Sequence, residues 1–195
     1  ILQVLLKTTP HANTPKVGLA NASPGKQVLG TVPVEPDGSA YFRAPAEVPL
    51  LFQALDEKGM AVQTMRSLTY LQPGEQASCI GCHQYPGRVP SPHLPSMAQM
   101  RVPSIIAAGP DGSKPLSYPL LVQPVLDNHC VKCHSGASAA ADIVLTGAPE
   151  GSFTASYNAL APRVSFSQWN SSPSANYEPQ TQPDVFGARA SPLMA

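Results

Sequence analysis

Two five-residue motifs, Cys79-Ile80-Gly81-Cys82-His83 and Cys130-Val131-Lys132-Cys133-His134, contain all four cysteines of the chain. In each motif two residues separate the cysteines, and a histidine follows the second one. This spacing is typical of covalent haem attachment. The two thiols bond to the vinyl groups on one edge of the porphyrin, and the histidine becomes an axial ligand of the iron. The sequence therefore predicts two c-type haems, bound by Cys79, Cys82, His83, Cys130, Cys133 and His134.

Two other uses of paired cysteines stay open. A thioredoxin-like redox pair has the same spacing, but it is typical of a βαβ setting that neither motif has. A zinc site or a disulfide is the other alternative, although the 47 residues between Cys82 and Cys130 exceed the roughly 15–20 residues of a zinc ribbon. Neither alternative explains the histidine that follows each pair.

The composition limits both the fold and the partners. The 195 residues include 23 prolines, more than twice the usual share of about 5%, which favours short elements joined by ordered loops. The 12 basic and 12 acidic residues cancel and no basic block occurs, so nucleic acid is not an expected partner. No apolar run approaches the ~20 residues of a transmembrane helix. Zero net charge favours association with other copies or with a larger assembly.

The predicted fold class is mixed and β-rich. Residues 28–72 contain short β-branched and aromatic runs with turn sequences about every ten residues, typical of a small antiparallel β-sandwich, and residues 1–7 predict an edge strand. Residues 118–134 resemble the first helix of a cytochrome c fold, with Pro124 at its first position. We expect the β-sandwich to be followed by a cytochrome c-like, loop-rich segment with few short helices.

This pattern divides the chain into three predicted parts. Residues 1–83 form the β-sandwich-like domain that ends in the first haem motif. Residues 84–117, rich in proline and glycine, form either a wrapper around a haem or a tether between domains. Residues 118–195 form the cytochrome c-like segment with the second motif, and this segment is expected to be incomplete because no closing helix is evident.

The stretch from Val28 to His83 resembles the hydrazine synthase alpha-subunit family. The resemblance lies in residues 29–45 (LGTVPVEPDGSAYFRAP) and 53–67 (QALDEKGMAVQTMRS), and it extends to residues 121–130, 156–160 and 186–193. It implies an extracytoplasmic dihaem unit with a β-rich part and a cytochrome c-like part. In hydrazine synthase the first haem is catalytic and has a tyrosine ligand shortly after its motif, for which Tyr85 is the matching candidate, and the second haem passes electrons.

The resemblance also implies a missing part. The family continues past the residues that match Ser191 to Met194 into a Gly-His-His segment and a final helix, which would complete the second haem site. This chain has neither. We therefore expect either a fragment of a longer protein or a site completed by a neighbouring copy.

His83 and His134 are the predicted proximal iron ligands. Ligation of both haems by two histidines each would require two of the three remaining histidines, so His11, His93 and His129 are candidate distal ligands. Methionine would raise the reduction potential relative to histidine, which makes Met97, Met100 and Met194 alternatives.

The sequence favours an electron carrier over an enzyme, and no catalytic residue is predicted. Covalent haem attachment in bacteria takes place outside the cytoplasm, so a periplasmic or extracellular, cell-surface location is expected. The partners would be a redox protein or neighbouring copies, in a homo-oligomer or filament. The alternative is a haem enzyme, hydrazine synthase-like or acting on another small nitrogen species or peroxide, with an open coordination position at the first haem. A third alternative is a surface scaffold with structural haems.

Overall fold

The structure is a computed structural model that describes residues 1–65, 67–81, 95–109, 112–166 and 183–194. The described residues form two compact units. The first unit contains those of 1–6 and 26–115, and the second unit contains those of 7–25, 116–166 and 183–194.

The first unit is built on a three-stranded antiparallel sheet. Strand β1 (Leu2–Val4) lies between β2 (Lys26–Val28) and β3 (Leu50–Leu51). Side chains alternate across a strand, and Leu2 and Val4 are accordingly buried against Leu51, while Gln3 between them is half-buried. The sequence predicted an edge strand here, but β1 is central because it pairs on both sides.

A hairpin follows directly. Strand β4 (Gln53–Leu55) pairs antiparallel with β5 (Ala61–Thr64). Asp56 closes the turn between them, because its carboxylate accepts hydrogen bonds from the backbone N–H groups of Lys58 and Met60, both at 2.9 Å. Gly59 has a φ of +75°, a conformation that glycine adopts without steric cost.

An extended segment, residues 95–109, lies along residues 30–43 of the same unit, and we call it the strap. It contains one short 3₁₀ turn, Met97–Met100. Ser104 pairs with Phe42, and Ala107 pairs with Thr31 through two backbone hydrogen bonds of 2.9 Å. Gly30 permits this close approach, because a Cβ at its position would overlap the carbonyl oxygen of Ala107.

Polar side chains of the 35–39 turn hold the strap. Asp37 accepts a hydrogen bond from the Met97 N–H at 2.8 Å, and the Ser39 hydroxyl accepts one from the Ala98 N–H at 3.0 Å. Arg101 forms an ion pair with Glu35, with Nε and Oε1 2.6 Å apart. The strap is thus attached by hydrogen bonds and buries Ala98 (1% exposed), whereas Met100 (76%), Val102 (82%) and Ile105 (79%) are exposed.

The described residues of the second unit form short helices and one short hairpin. Its helices are short, and its hairpin pairs two two-residue strands. Helices α1 and α2 each have a proline in the first turn, where the missing N–H has no helical partner to lose. The bounds are α1 Tyr118–Leu121, α2 Gln123–His129, β6 Pro149–Glu150, β7 Phe153–Thr154 and α3 Ala155–Leu160, with 3₁₀ turns at Ala140–Asp142, Ala161–Arg163, Ala188–Ala190 and Pro192–Met194.

Tyr157 anchors the N-terminal part of this unit. Its hydroxyl accepts a hydrogen bond from the Leu19 N–H at 2.9 Å. Its ring packs perpendicular to that of Tyr118, with centroids 5.0 Å apart, and lies 4.6 Å from that of Phe153. Residues 7–25 therefore belong to the second unit.

The prediction of a mixed, β-rich chain is confirmed. The described residues contain short antiparallel sheets, few short helices and much loop. The cytochrome c-like character of residues 118–195 stays a prediction. Among the helices of the described ranges, none has the length and apolar character needed to cross a bilayer.

Candidate haem-attachment site

The second motif lies in a single turn that continues helix α2. The N–H of Cys130 donates to the Leu126 carbonyl at 2.8 Å, and the N–H of His134 donates to the Cys130 carbonyl at 3.0 Å. Cys130 is half-buried, Cys133 is exposed, and neither forms a disulfide. Both thiols of this motif are therefore free to react, and they sit on backbone fixed by hydrogen bonds.

The imidazole of His134 is already oriented. Its Nδ1 lies 3.0 Å from the carbonyl oxygen of Ile143. A carbonyl oxygen only accepts, so Nδ1 carries the proton and the neutral ring keeps its lone pair on Nε2. This arrangement is the usual one for a metal-binding histidine, in which a hydrogen bond at one ring nitrogen fixes the tautomer for coordination by the other.

The loop after the motif folds back onto it. The N–H of Ala140 donates to the Cys133 carbonyl at 2.9 Å, and the N–H of Leu145 donates to the His134 carbonyl, also at 2.9 Å. Ala139 and Leu145 are buried, with exposed fractions of 7% and 5%. The loop 135–145 therefore fixes both the backbone and the ring of His134.

A buried polar cluster supports this loop. Gln123, at the start of α2, donates from Nε2 to the Leu145 carbonyl at 3.0 Å and to Asp127 at 2.8 Å. Its Oε1 accepts a hydrogen bond of 2.5 Å from the hydroxyl of Ser156, which is fully buried. The hydroxyl oxygen of Thr154 lies 3.0 Å from the hydroxyl oxygen of Ser156. Burial raises the pKa of the nearby Tyr118 phenol, and the Ser156 hydroxyl opposes that shift.

Helix α2 and the residues before it also present an apolar surface to solvent. Leu121 is 43% exposed, Val122 38% and Val125 55%. Residues three and four apart share one face of a helix, so Val125 and the exposed His129 lie on one side of α2. Exposed apolar side chains on the helix that leads into a pair of free thiols suit a flat, apolar ring such as a porphyrin.

The residues of the second motif thus fit a c-type haem. The donor set comprises two free thiols and one imidazole whose tautomer is fixed. Haem attachment needs no preformed cluster of ligands, and within the described ranges no group of three or more His, Cys, Asp and Glu residues is placed to share a metal ion.

The first motif is described only at its beginning. Cys79 is exposed, Ile80 is 53% exposed, and Gly81 has a φ of +72°. The motif follows a closed turn in which the Gln72 N–H donates to the Glu75 carboxylate at 2.6 Å. The predicted residues Cys82, His83 and His93, with Tyr85, lie outside the described residues.

The other two candidate histidine ligands, His11 and His129, lie in the second unit. His129 is the last residue of α2 and is exposed. His11 is also exposed, in a loop fixed by Lys7, whose ammonium donates to the carbonyl groups of His11, Ala12 and Pro15 at 2.6–2.8 Å. The structure thus fixes the His11 backbone without assigning its ring a partner, and the distal ligands stay predictions. Of the methionines, Met194 ends a 3₁₀ turn and is 52% exposed.

The sequence interpretation missed the support of His134. Ile143 and Leu145 act through their backbone, which every residue type has, so no sequence signal identifies them. Gln123 and Ser156 are polar residues at the starts of helices, where polar residues are common. Their burial distinguishes them from other such residues, and burial is not visible in the sequence.

Part of the chain is similar to a known family. Residues 7–84 match the family model described as the hydrazine synthase alpha subunit middle domain. A stretch of 63 residues is 43% identical to hydrazine synthase subunit alpha of Kuenenia stuttgartiensis, which amounts to 31% of this chain and 8% of that protein.

The family model does not cover the second motif, because its match ends at residue 84. The resemblance that the sequence suggested for residues 121–193 therefore stays a prediction. The comparison with solved structures finds no match. The chain covers less than a tenth of the curated relative, and its segment 7–84 is similar to the middle domain of the hydrazine synthase alpha subunit.

Proposed function

We propose that this chain is an extracytoplasmic dihaem c-type cytochrome that transfers electrons. The observation that carries the proposal is the geometry of Cys130, Cys133 and His134, where two free thiols and an imidazole with a fixed tautomer share one turn. The first motif repeats the same residue pattern at Cys79, Cys82 and His83. Haem supplies one-electron chemistry when bound, by cycling its iron between the ferric and ferrous states.

The chain's own residues tune this chemistry. The hydrogen bond from His134 Nδ1 to Ile143 makes the imidazole a more basic ligand. A more basic ligand stabilises the ferric state and so lowers the reduction potential. The buried residues Ala139 and Leu145 keep water away from the backbone around His134.

The proposed partners are a redox protein or neighbouring copies of the chain. Exposed apolar side chains on and near helices α1 and α2, including Leu120 at 76% and Val125 at 55%, would gain free energy from burial in such contacts. A net charge of zero does not oppose them. The expected location is periplasmic or extracellular.

A second candidate is a haem enzyme with an open coordination position at the first haem. The match of residues 7–84 favours it, because that family is named for hydrazine synthase, and the matched region includes the first motif. Its chemistry would be hydrazine synthesis or another reaction of a small nitrogen species or peroxide.

Mass and optical spectroscopy of the purified, haem-loaded protein test both candidate functions. The electron carrier predicts two covalent haems by intact mass, a low-spin ferric spectrum and no carbon monoxide adduct after reduction. A high-spin ferric band with carbon monoxide binding at one haem would favour the enzyme. A colourless chain with no added tetrapyrrole would contradict both.

A further inference from the structure

We propose that Gln123 and Ser156 are positioning residues that set the reduction potential of the haem at the second motif by fixing His134. The inference rests on the proposed attachment of haem to Cys130 and Cys133. Neither residue is placed to ligate iron itself, since both side chains are already hydrogen-bonded within the protein.

The first step concerns Leu145, which connects Gln123 to His134. The Leu145 N–H donates to the His134 carbonyl at 2.9 Å, and the Leu145 carbonyl accepts from Gln123 Nε2 at 3.0 Å. Gln123, at the start of α2, and His134, at the end of the motif, are thus both hydrogen-bonded to the backbone of the buried Leu145. Two residues before Leu145, the Ile143 carbonyl accepts from the His134 ring at 3.0 Å.

The second step concerns Ser156, which fixes Gln123 and the adjoining loop together. Its hydroxyl donates to Gln123 Oε1 at 2.5 Å, and its N–H donates to the Thr146 carbonyl at 3.1 Å. Gln123 is 6% exposed and Ser156 0%. Water therefore has little access to replace a lost partner, and the segment 143–146 would loosen instead.

The consequence follows from the hydrogen bond of the ring. If the segment 143–146 loosens, the bond between His134 and Ile143 lengthens on average, and the imidazole becomes less basic. A less basic ligand favours ferrous iron, so the reduction potential rises.

Potentiometric titration of the full dihaem chain tests this inference. Gln123→Leu keeps much of the side-chain volume but removes the two hydrogen bonds that Nε2 donates and the one that Oε1 accepts. Ser156→Ala removes only the hydroxyl. We expect an upward shift of the second haem's potential in both variants, larger for Gln123→Leu. The double variant should shift no further than Gln123→Leu, because the two residues act in one chain of hydrogen bonds. A Cys79→Ala/Cys82→Ala variant identifies which titration step belongs to the second haem.

Tyr157→Phe is the matched control. It removes one hydrogen bond in the same helix, the one from Leu19, and keeps the aromatic ring. We expect it to lower stability without moving the potential. If Gln123→Leu does not fold and bind haem, the potential of Ser156→Ala alone tests the inference. Ser156→Ala is the milder change, because the hydrogen bond from Gln123 to Leu145 stays in place.

The inference is overturned if both variants retain the wild-type potential, or if Tyr157→Phe shifts it equally. Its failure is distinguishable from failure of the proposed function. A wild-type chain without haem at the second motif contradicts the function, whereas a dihaem chain with unchanged potentials contradicts only the role of Gln123 and Ser156.

Discussion

The ring of His134 donates from Nδ1 to the carbonyl oxygen of Ile143, nine residues later, across 3.0 Å. This single bond selects the tautomer in which Nε2 keeps its lone pair and is available for coordination. It exists because the loop between the two residues returns to the end of α2, where the Ala140 N–H bonds to the Cys133 carbonyl.

Removal of one thiol pair should remove one haem. We expect Cys130→Ala/Cys133→Ala to carry a single covalent haem and the wild-type chain to carry two, as measured by intact mass and by haem absorbance per protein. Cys79→Ala/Cys82→Ala is the matched control and should also carry one. A Cys130/Cys133 variant that retained two haems would contradict the assignment of the second motif.

Ser156→Ala should destabilise the second unit by about 1–3 kcal/mol, because Gln123 Oε1 would be left buried without its donor. Chemical denaturation followed by circular dichroism measures the change. Ser152→Ala removes an exposed hydroxyl from the neighbouring hairpin turn and should change stability by less than about 0.5 kcal/mol. Equal effects of the two substitutions would show that the buried polar cluster contributes nothing to stability.

Gly30→Ala should disrupt the strap. A Cβ there would overlap the Ala107 carbonyl and lie 2.7 Å from Ile106 Cγ2, at a φ of +145°. We expect a loss of about 3 kcal/mol or more and faster proteolysis within residues 95–109. Gly38→Ala is the control, because its φ is also positive, at +80°, but nothing lies within 4 Å of the new Cβ. It should cost only the backbone strain of about 1 kcal/mol, and a similar loss in both variants would contradict the close-approach argument.

The attachment of the strap to Asp37 should weaken in acid. A hydrogen bond from the Ser39 side chain, followed by one from the Met97 backbone, lowers the pKa of Asp37 below its usual 3.8. Because the folded-state pKa is lowered, the stabilisation is fully present above 3.8 and is lost as the pH falls through the lower folded-state value. The amide resonance of Met97 should therefore titrate with a midpoint below 3.8.

Asp37→Asn supplies the control for this titration. The variant should remove the pH dependence of the Met97 amide, because asparagine does not ionise in this range. A Met97 resonance that still titrates in the variant would assign the effect to another group.

The sequence predicted which residues of the second site could react, but not the residues that support them. Cysteine and histidine at fixed spacing predict haem attachment locally, so Cys130, Cys133 and His134 are candidates from the sequence alone, and the attachment itself stays a prediction. Pro124 likewise indicated the start of α2, which begins one residue earlier, at Gln123. Local spacing is readable in these cases because the interacting atoms lie within one or two helical turns.

The pairing of strands was less predictable. The β-branched residues from Val28 onward predicted a strand, yet β2 ends at Val28, and the following residues bond to the strap through Thr31 and Ala107. Strand β1 was expected at an edge but lies centrally. Strand order depends on contacts between residues far apart in the chain, which a local pattern does not encode.

The sequence by itself determined the β-rich class with short elements and the helix that precedes the second motif, and it supplied the candidate haem-binding groups, because each depends on residue types and spacings over a few positions. Only the tertiary structure decided that Ile143 orients His134, that Leu145 connects it to Gln123, and that Ser156 completes the cluster. These contacts use backbone carbonyls and buried hydroxyls brought together by folding, and no residue type marks a carbonyl that will meet a histidine ring.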